Sequence, residues 1–351
     1  MKNKITVLII EDSALMRREL TKIINSGPGL RVIGSAKDGF DGLEMTKTLD
    51  PDVVTIDINL PGMDGITCLQ HIMIEAPRPC LMISAYTGRD SVETFEALEL
   101  GAVDFVEKPS GEISRDINRR AEDIIRKIMA AVYVNLSVMT RLKPAPVPAK
   151  KAIQIPFDEN APHKIVVIGV STGGPRTLMR IIPYFPGDLN VPVLVIQHMP
   201  KKFTSGFAER LNNHCPLAVK EAQNGEALRN NVVYVAPGNS NLLVTRNHTG
   251  VFISLSAPSP HDNINPSVEK ALGSAINVFG KQVIGVILTG MGDDGANAME
   301  RLYALGGQTI AESDKTAVIY GMPKEVIKKG AARVVAPAGE IADEIVKAVK
   351  E

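Results

Sequence analysis

Two stretches of the chain alternate short apolar runs with segments of helical periodicity, and this alternation constrains the fold more than any other feature. The apolar runs of the first stretch lie at residues 5–10, 31–36, 53–58, 80–84 and 103–107. Helix-like segments lie near 13–26, 39–49, 64–75 and 90–100, and a longer amphipathic segment follows at about 112–140. Five strand–helix repeats of this kind predict an α/β domain with a five-stranded, doubly wound parallel sheet.

The second stretch repeats the pattern after residue 163. Strand patterns lie at 165–170, 192–197, 217–220, 232–236, 242–245, 251–254, 283–289 and 333–335. Helical patterns lie near 175–182, 204–214, 266–277, 295–305 and 339–349. The alternation predicts a second doubly wound α/β domain, with a β-rich insertion near 217–254.

A proline-rich segment separates the two stretches. Residues 141–162 read RLKPAPVPAKKAIQIPFDENAP, and their alternating prolines are incompatible with a continuing helix. We interpret the segment as a semi-extended linker, the alternative being an edge loop within one domain. The predicted organisation is a first domain at 1–125, a helix end and linker at 126–162, and a second domain at 163–351.

Composition excludes several classes of function. Lys plus Arg and Asp plus Glu both number 39, so a formal net charge of zero argues against nucleic acid or an anionic membrane as the main partner. No apolar stretch approaches the roughly 18 residues that span a bilayer, and acids end the N-terminal apolar run too early for a signal peptide. Three cysteines without a C-x-x-C pair predict reduced thiols and a cytoplasmic protein.

Charged and hydroxylic residues follow the strands of the first domain. Glu11 and Asp12 follow the first strand, Asp57 closes the third, Ser84 ends the fourth, and Lys108 follows the fifth. The carboxyl ends of parallel strands meet at one edge of the sheet, so three carboxylates converge there and need a cation. Hard oxygen ligands suit Mg²⁺, and a lysine with a hydroxyl suits a phosphoryl group on an aspartate.

This arrangement resembles the receiver domain of bacterial response regulators, a flavodoxin-like fold. The resemblance covers about residues 4–122, and it is highly specific because five positions agree in the right order. It implies that Asp57 is the phosphoacceptor, that Glu11, Asp12 and Asp57 hold Mg²⁺, and that Ser84 and Lys108 sense the phosphoryl group. The alternative is a solvated acidic rim without chemistry, with Ser84 as a capping hydroxyl.

A serine in a glycine-rich turn is the most informative feature of the second domain. Residues 165–175 read IVVIGVSTGGP, in which an apolar strand stops at Ser171 and Pro175 opens a helix. Gly169 and Gly173 permit a sharp turn, and the helix N-terminus directs backbone N–H groups toward the hydroxyl. The stretch matches G-x-S-x-G, which presents a nucleophile in some hydrolases but also occurs in ordinary turns, where serine caps a helix.

Partners for this serine follow two other strands. His198 comes just after the apolar strand in VPVLVIQHMP, and Asp293 and Asp294 lie in a glycine-rich turn after VIGVILT. A carboxylate there can fix the tautomer of the imidazole, and backbone N–H groups near Met291 can line an oxyanion hole. The chain order Ser, His, Asp differs from the α/β-hydrolase order Ser, Asp, His.

The three segments GVSTGGP, QHMPKKFTSGFAERL and LTGMGDDG, behind a receiver and a linker, resemble the CheB family of chemotaxis response regulators. The resemblance implies that Ser171 is the nucleophile, His198 the general base, Asp294 the orienting carboxylate and the Met291 N–H an oxyanion donor. Thr172 is a neighbour of the site.

The family's activity is the hydrolysis of glutamate γ-methyl esters on chemoreceptors. The same machinery is expected to deamidate receptor glutamines, and ester hydrolysis is expected to need no cofactor. A chemotaxis histidine kinase is the expected phosphodonor. Phosphorylation of Asp57 is expected to relieve a block that the receiver places on the serine site.

The sequence departs from the family pattern at several positions. Asn239 and Asn241 stand where a glycine and a histidine are usual, and Asn265 where a basic residue is more frequent. We expect these asparagines to lie on a rim that contacts the receptor. In the first domain, Phe105 matches an aromatic switch position, and Asn59 stands where an acid is common.

Three other functions stay open on the sequence alone. The chain can be a receiver coupled to a serine hydrolase of a different ester, or a non-catalytic adaptor that binds receptors. A transcriptional regulator is least favoured, because the second domain has no helix-turn-helix pattern and no basic stripe.

Overall fold

The chain forms two compact units in a computed structural model, Met1–Lys143 and Pro144–Glu351. The structure describes residues 4–85, 88–109, 116–136, 162–259 and 264–351, and the side chains of 85 and 88–91 are outside the description. Most of the predicted linker at 141–162 and both ends of the amphipathic segment at 112–140 lie outside the described residues. Within the described ranges, none of the helices has the length and apolar character required to cross a bilayer.

The first unit is a five-stranded parallel sheet between two layers of helices. Its strands are β1 (Ile5–Ile10), β2 (Leu30–Ala36), β3 (Val53–Asp57), β4 (Cys80–Ala85) and β5 (Asp104–Lys108). Its helices are α1 (Ala14–Ser26), α2 (Gly39–Leu49), α3 (Gly65–Glu75), α4 (Gly88–Leu100) and α5 (Ala121–Ala131). The strand order β2-β1-β3-β4-β5 confirms the predicted doubly wound parallel sheet.

Local sequence explains why these elements form. The strand VVTID of β3 is buried at all five positions, as expected of a central strand covered on both faces. Helix α1 buries one face and begins at Ser13, whose hydroxyl accepts a hydrogen bond from the Met16 N–H. Asp38 and Asp64 cap α2 and α3 in the same way. Each such cap stabilises its helix by about 1 kcal/mol.

The second unit is built on a seven-stranded parallel sheet. Its strands, in the order β14-β13-β12-β6-β7-β9-β8, are β6 (Ile165–Val170), β7 (Val193–Gln197), β8 (Ala218–Glu221), β9 (Val232–Val235), β12 (Val283–Ile287), β13 (Gln308–Glu312) and β14 (Val334–Ala336). The helices are α6 (Gly174–Ile181), α7 (Lys201–His214), α8 (Val268–Phe279), α9 (Ala296–Ala304), α10 (Met322–Lys328) and α11 (Ala338–Lys350).

The β-rich region predicted near 217–254 divides into two parts. Strands β8 and β9 extend the main sheet in parallel, and only β10 (Asn241–Asn247) and β11 (Gly250–Ser256) form a separate antiparallel hairpin. The hairpin closes a hydrophobic core with α8, through residues such as Leu242 and Ile253.

Two elements of the second unit are absent from the sequence prediction. Strand β13 reads QTIAE, and its buried Thr309 and Glu312 obscure the apolar pattern of a core strand. Helix α10 is only seven residues long and begins directly after Gly321. Both elements lie beside β12, so their position is fixed by packing on the sheet.

The order of the central strands decides where chemistry can occur. Strand β6 lies between β12 and β7, so the residues that follow these three strands meet at one edge of the sheet. This is the edge at which parallel α/β sheets bind ligands.

Candidate functional site

Ser171 lies in a tight turn at the end of β6. Its backbone N–H donates to the Thr289 carbonyl at 3.0 Å, and its carbonyl accepts from the Gly174 N–H at 2.8 Å. Gly173 has φ +80, and a Cβ at this position would lie 2.6 Å from the Cβ of Val318. Only glycine fits this backbone, so the turn that places the Ser171 hydroxyl depends on it.

His198 follows β7, the strand beside β6. Its backbone N–H donates to the Val170 carbonyl at 3.1 Å, which ties the first residue beyond β7 to the last residue of β6. Its imidazole Nε2 lies 2.9 Å from Oδ2 of Asp294, and the side chain is 7% exposed. With Nε2 bound to the carboxylate, Nδ1 is the nitrogen left to act as a base.

The Asp294 carboxylate lies at the N-terminus of α8. Its oxygens accept hydrogen bonds from the Val268 N–H at 2.7 Å, the Glu269 N–H at 2.9 Å and the Ser267 hydroxyl at 3.1 Å. Burial alone raises the pKa of Asp294, but His198 and these N–H donors outweigh burial, and the pKa is lowered. The structure therefore places an anionic carboxylate against the imidazole, while the adjacent Asp293 is exposed.

The loop after β12 brings Met291 toward the serine. Gly290, the residue before it, lies so close to Ser171 that a Cβ on Gly290 would be 2.7 Å from the Ser171 Cβ. The Gly290 N–H donates to the Ile319 carbonyl, and the Gly290 carbonyl accepts from the Met322 N–H. These bonds fix the backbone that carries the Met291 N–H.

A buried glutamate that sequence reasoning missed supports this region. Glu312, at the end of β13, is fully buried and accepts from the Thr289 N–H at 2.8 Å and the Thr316 hydroxyl at 2.9 Å. Thr289 in turn donates its hydroxyl to the Thr172 carbonyl at 2.9 Å. Burial raises the pKa of Glu312 to about 7.

The asparagines expected at a receptor-facing rim separate into two groups. Asn241 is fully buried, and its Oδ1 accepts from the Ser267 N–H at 3.1 Å, so the expectation that it contacts a receptor is wrong. Asn241 thereby holds Ser267, whose hydroxyl binds Asp294. Strand β10, which carries Asn241, packs against α8. Asn239 is exposed with φ +60, and Asn265 is partly buried.

The receiver site of the first unit is built from buried charges. Lys108 Nζ lies 2.8 Å from an Asp57 oxygen and 3.0 Å from a Glu11 oxygen, and all three side chains are nearly inaccessible to solvent. Carboxylate oxygens of Glu11, Asp12 and Asp57 lie within 4.8 Å of one another, and Asp12 is exposed.

The charges of this site do not balance. Burial, with repulsion from Asp57, raises the pKa of Glu11 to about 7, and burial also raises the pKa of Asp57. Burial lowers the pKa of Lys108, but the charges of Asp57 and Glu11 outweigh it, and the net shift is upward. Three carboxylates against one ammonium fit a divalent cation with oxygen ligands, as the receiver fold implies for Mg²⁺.

Of the remaining predicted receiver residues, Ser84 and Phe105 are buried and Asn59 is exposed. Ser84 is fully buried at the end of β4, and its Oγ accepts from the Thr94 hydroxyl of α4 at 3.1 Å. Phe105 is 2% exposed, and the Lys127 ammonium lies 5.1 Å from its ring centroid. The aromatic side chain therefore occupies an inward position. Asn59 is exposed beside the site.

Fold and site together define a response regulator whose receiver precedes an α/β domain with a serine, a histidine and an aspartate at adjacent strand ends. The model of the response regulator receiver domain matches residues 7–117, and the CheB methylesterase model matches residues 166–345. The chain belongs to the CheB methylesterase family.

Relatives match the chain over its full length. A protein-glutamate methylesterase/protein-glutamine glutaminase 2 of Carboxydothermus hydrogenoformans is 46% identical over 99% of this chain and 100% of its own. A protein-glutamate methylesterase/protein-glutamine glutaminase of Archaeoglobus fulgidus is 42% identical, with 97% of each chain covered. The crystal structure of the Thermotoga maritima CheB methylesterase catalytic domain, 42% identical, matches with a TM-score of 0.51 over 52% of this chain and 97% of that one.

Proposed function

We propose that the protein is a receiver-regulated hydrolase that removes methyl groups from glutamate γ-methyl esters of chemoreceptors and deamidates receptor glutamines. The 2.9 Å contact between His198 and a helix-capped Asp294, one strand away from Ser171, is the observation that carries this proposal. The full-length relatives named for both activities support the choice of substrate.

The reaction proceeds through an acyl-enzyme. His198 Nδ1 takes the proton of Ser171 as the Ser171 oxygen attacks the ester carbonyl. The Met291 N–H stabilises the negative oxygen of the tetrahedral intermediate. Protonated His198 then gives its proton to the leaving methoxide, which departs as methanol.

Deacylation uses the same groups, with water as the nucleophile and the Ser171 oxygen as the leaving group. Water attacks the glutamyl ester of Ser171, His198 accepts the water proton, and the proton returns to the Ser171 oxygen as glutamate is released. A glutamine amide enters the same sequence with ammonia as the leaving group. Asp294 keeps the Nε2–H directed toward itself and stabilises the imidazolium.

The receiver supplies regulation. Asp57 accepts a phosphoryl group from a phosphohistidine of a chemotaxis kinase, and phosphorylation raises turnover in the second unit. Glu11, Asp12 and Asp57 would hold Mg²⁺, which would neutralise the oxygens of the transferring phosphoryl group. Lys108 and Ser84 bind the phosphoryl group after transfer. We place the enzyme in the cytoplasm, on the side of the membrane that carries the receptor's methylation helices.

Substrate preference tests this proposal against a hydrolase of another ester. Methylated receptor fragments and p-nitrophenyl acetate are compared as substrates of the wild-type protein and of Ser171→Ala. We expect methanol release from the fragments to require Ser171 and to exceed turnover of the generic ester. Turnover of the generic ester alone would favour the other hydrolase, and receptor binding without turnover would favour an adaptor.

A further inference from the structure

One buried amide connects the strand that ends at the nucleophile with the strand that ends at the base. We propose that Gln197 is a positioning residue that sets the relative placement of Ser171 and His198, an inference that rests on the function proposed above. Gln197 is the last residue of β7 and is 2% exposed.

The contacts of this amide are with the two catalytic residues themselves. Gln197 Nε2 donates to the Ser171 carbonyl at 3.0 Å and to the His198 carbonyl at 3.0 Å. An amide nitrogen carries two hydrogens, so each carbonyl receives one. Both donors of Gln197 are therefore committed to the backbone of the proposed nucleophile and base.

The contacts extend the sheet one residue beyond its regular ladder. Gln197 pairs with Val170 as the final residue pair of β6 and β7. Ser171 turns away from the sheet here, and its N–H goes to Thr289 on the other side. The Gln197 side chain thus supplies a cross-strand hydrogen bond at the point where the backbone of β6 leaves the sheet.

The side-chain amide of Gln197 is tightly surrounded. Its Oε1 is buried and has no hydrogen-bond partner among the described residues. A Cβ at Gly174 would lie 2.0 Å from this oxygen, so the first residue of α6 must be glycine for the amide to fit. A buried acceptor without a partner destabilises the folded state, and the two donated bonds must offset this cost.

Glutamine is the side chain that meets these requirements. Its amide nitrogen offers two donors and carries no charge. A glutamate of the same size would place a carboxylate oxygen against the Ser171 and His198 carbonyl oxygens, which repel it. Methionine has a similar length and no donor. Catalysis between two side chains is sensitive to displacements of about 1 Å, which cost roughly 100-fold in rate.

The experiment compares Gln197→Glu and Gln197→Met with wild type, measuring kcat and KM for methylated receptor fragments and the melting temperature. Gln282→Glu is the matched control, because Gln282 is exposed just before β12, at the opposite edge of the sheet. We expect kcat to fall about 100-fold in Gln197→Glu and about 10-fold in Gln197→Met, with KM within about twofold. Gln282→Glu is expected to match wild type.

A pH profile separates positioning from a general loss of structure. As pH falls, a protonated glutamate regains one O–H donor, so the ratio of Gln197→Glu to wild-type kcat is expected to rise, while the Gln197→Met ratio stays constant. Where Gln197→Glu does not fold, Gln197→Met decides the outcome. If wild type is active and the folded Gln197 variants keep kcat within twofold of it, the positioning role of Gln197 is overturned and the proposed function stands. Wild-type turnover no greater than that of Ser171→Ala overturns the proposed function and this inference together.

Discussion

The two candidate sites occupy the same place in similar sheets, but their charges are balanced in opposite ways. In the receiver, three carboxylates cluster and Lys108 contacts two of them, and burial raises the pKa of both Glu11 and Asp57. In the second unit, one carboxylate receives two backbone N–H groups and an imidazole, and its pKa is lowered. The first cluster carries an excess of negative charge that a divalent cation would balance, whereas the carboxylate of the second site is stabilised by groups of the chain itself.

The difference shows how each site can be controlled. A cluster that is unbalanced without its cation and phosphoryl group changes its charge when these bind, which suits a switch. A carboxylate at a helix N-terminus holds its charge and position throughout a reaction, which suits catalysis.

Loss of the nucleophile should have the largest effect. Ser171→Ala removes the oxygen that forms the acyl-enzyme, so we expect turnover of methylated receptor fragments to fall by at least about 10⁴-fold. Circular dichroism and melting temperature should stay close to wild type, because only one hydroxyl is removed. Methanol release near the wild-type rate would remove Ser171 from the mechanism.

Asp294→Asn should lower kcat by about 10³- to 10⁴-fold, because an amide no longer selects the His198 tautomer with a basic Nδ1. The matched control is Asp293→Asn, which changes an exposed neighbour and should stay within twofold of wild type. Steady-state kinetics on receptor fragments measures both variants. Equal losses in the two variants would contradict the assignment of Asp294.

Asp57→Ala should abolish regulation and leave basal turnover in place. The ratio of turnover with phosphodonor and Mg²⁺ to turnover without them should fall to about 1, because the phosphoacceptor is lost. Asp41→Ala, which removes an exposed acid of α2, should keep the wild-type ratio. Loss of basal activity together with activation would argue against a separate regulatory role for the receiver.

Glu312→Gln should change the pH dependence of stability. Burial raises the pKa of Glu312 to about 7, so the folded state binds its proton more tightly than the unfolded state. Wild type should therefore lose up to about 3 kcal/mol of stability between pH 4.5 and 7, as the proton leaves. The Glu312→Gln variant has no such proton to lose, so its free energy of unfolding relative to that of wild type should rise with pH across this window. Urea unfolding at several pH values measures the difference, and a constant difference would contradict it.

The sequence predicts much of the fold and the identity of several strand-end residues. Short apolar runs ending in Asp57, Ser171 and His198 indicate strands, and the rule that parallel strands present their carboxyl ends together brings these side chains to common edges. The doubly wound parallel fold is confirmed by the strand order of both units. The catalytic roles stay predictions, and the structure adds the His198–Asp294 contact to them.

The supporting residues could not be found from the sequence. Gln197, Ser267 and Glu312 each make a hydrogen bond to a residue 23 to 27 positions away, and no local pattern encodes those contacts. Asn241 shows the same limit, since a polar residue after a turn looks exposed until α8 packs over it. Strand β13 escaped detection because its buried polar residues find partners only in the folded sheet.

Methanol release from carboxyl-methylated receptor membranes, measured with and without a small-molecule phosphodonor and Mg²⁺, decides whether the protein is a phosphorylation-gated methylesterase. Ser171→Ala and Asp57→Ala serve as the two controls. Phosphorylation-gated ester hydrolysis predicts release that rises with phosphodonor, vanishes in Ser171→Ala and stays at the basal level in Asp57→Ala. Absence of release from several receptor preparations, with Asp57 shown to be phosphorylated, would contradict it.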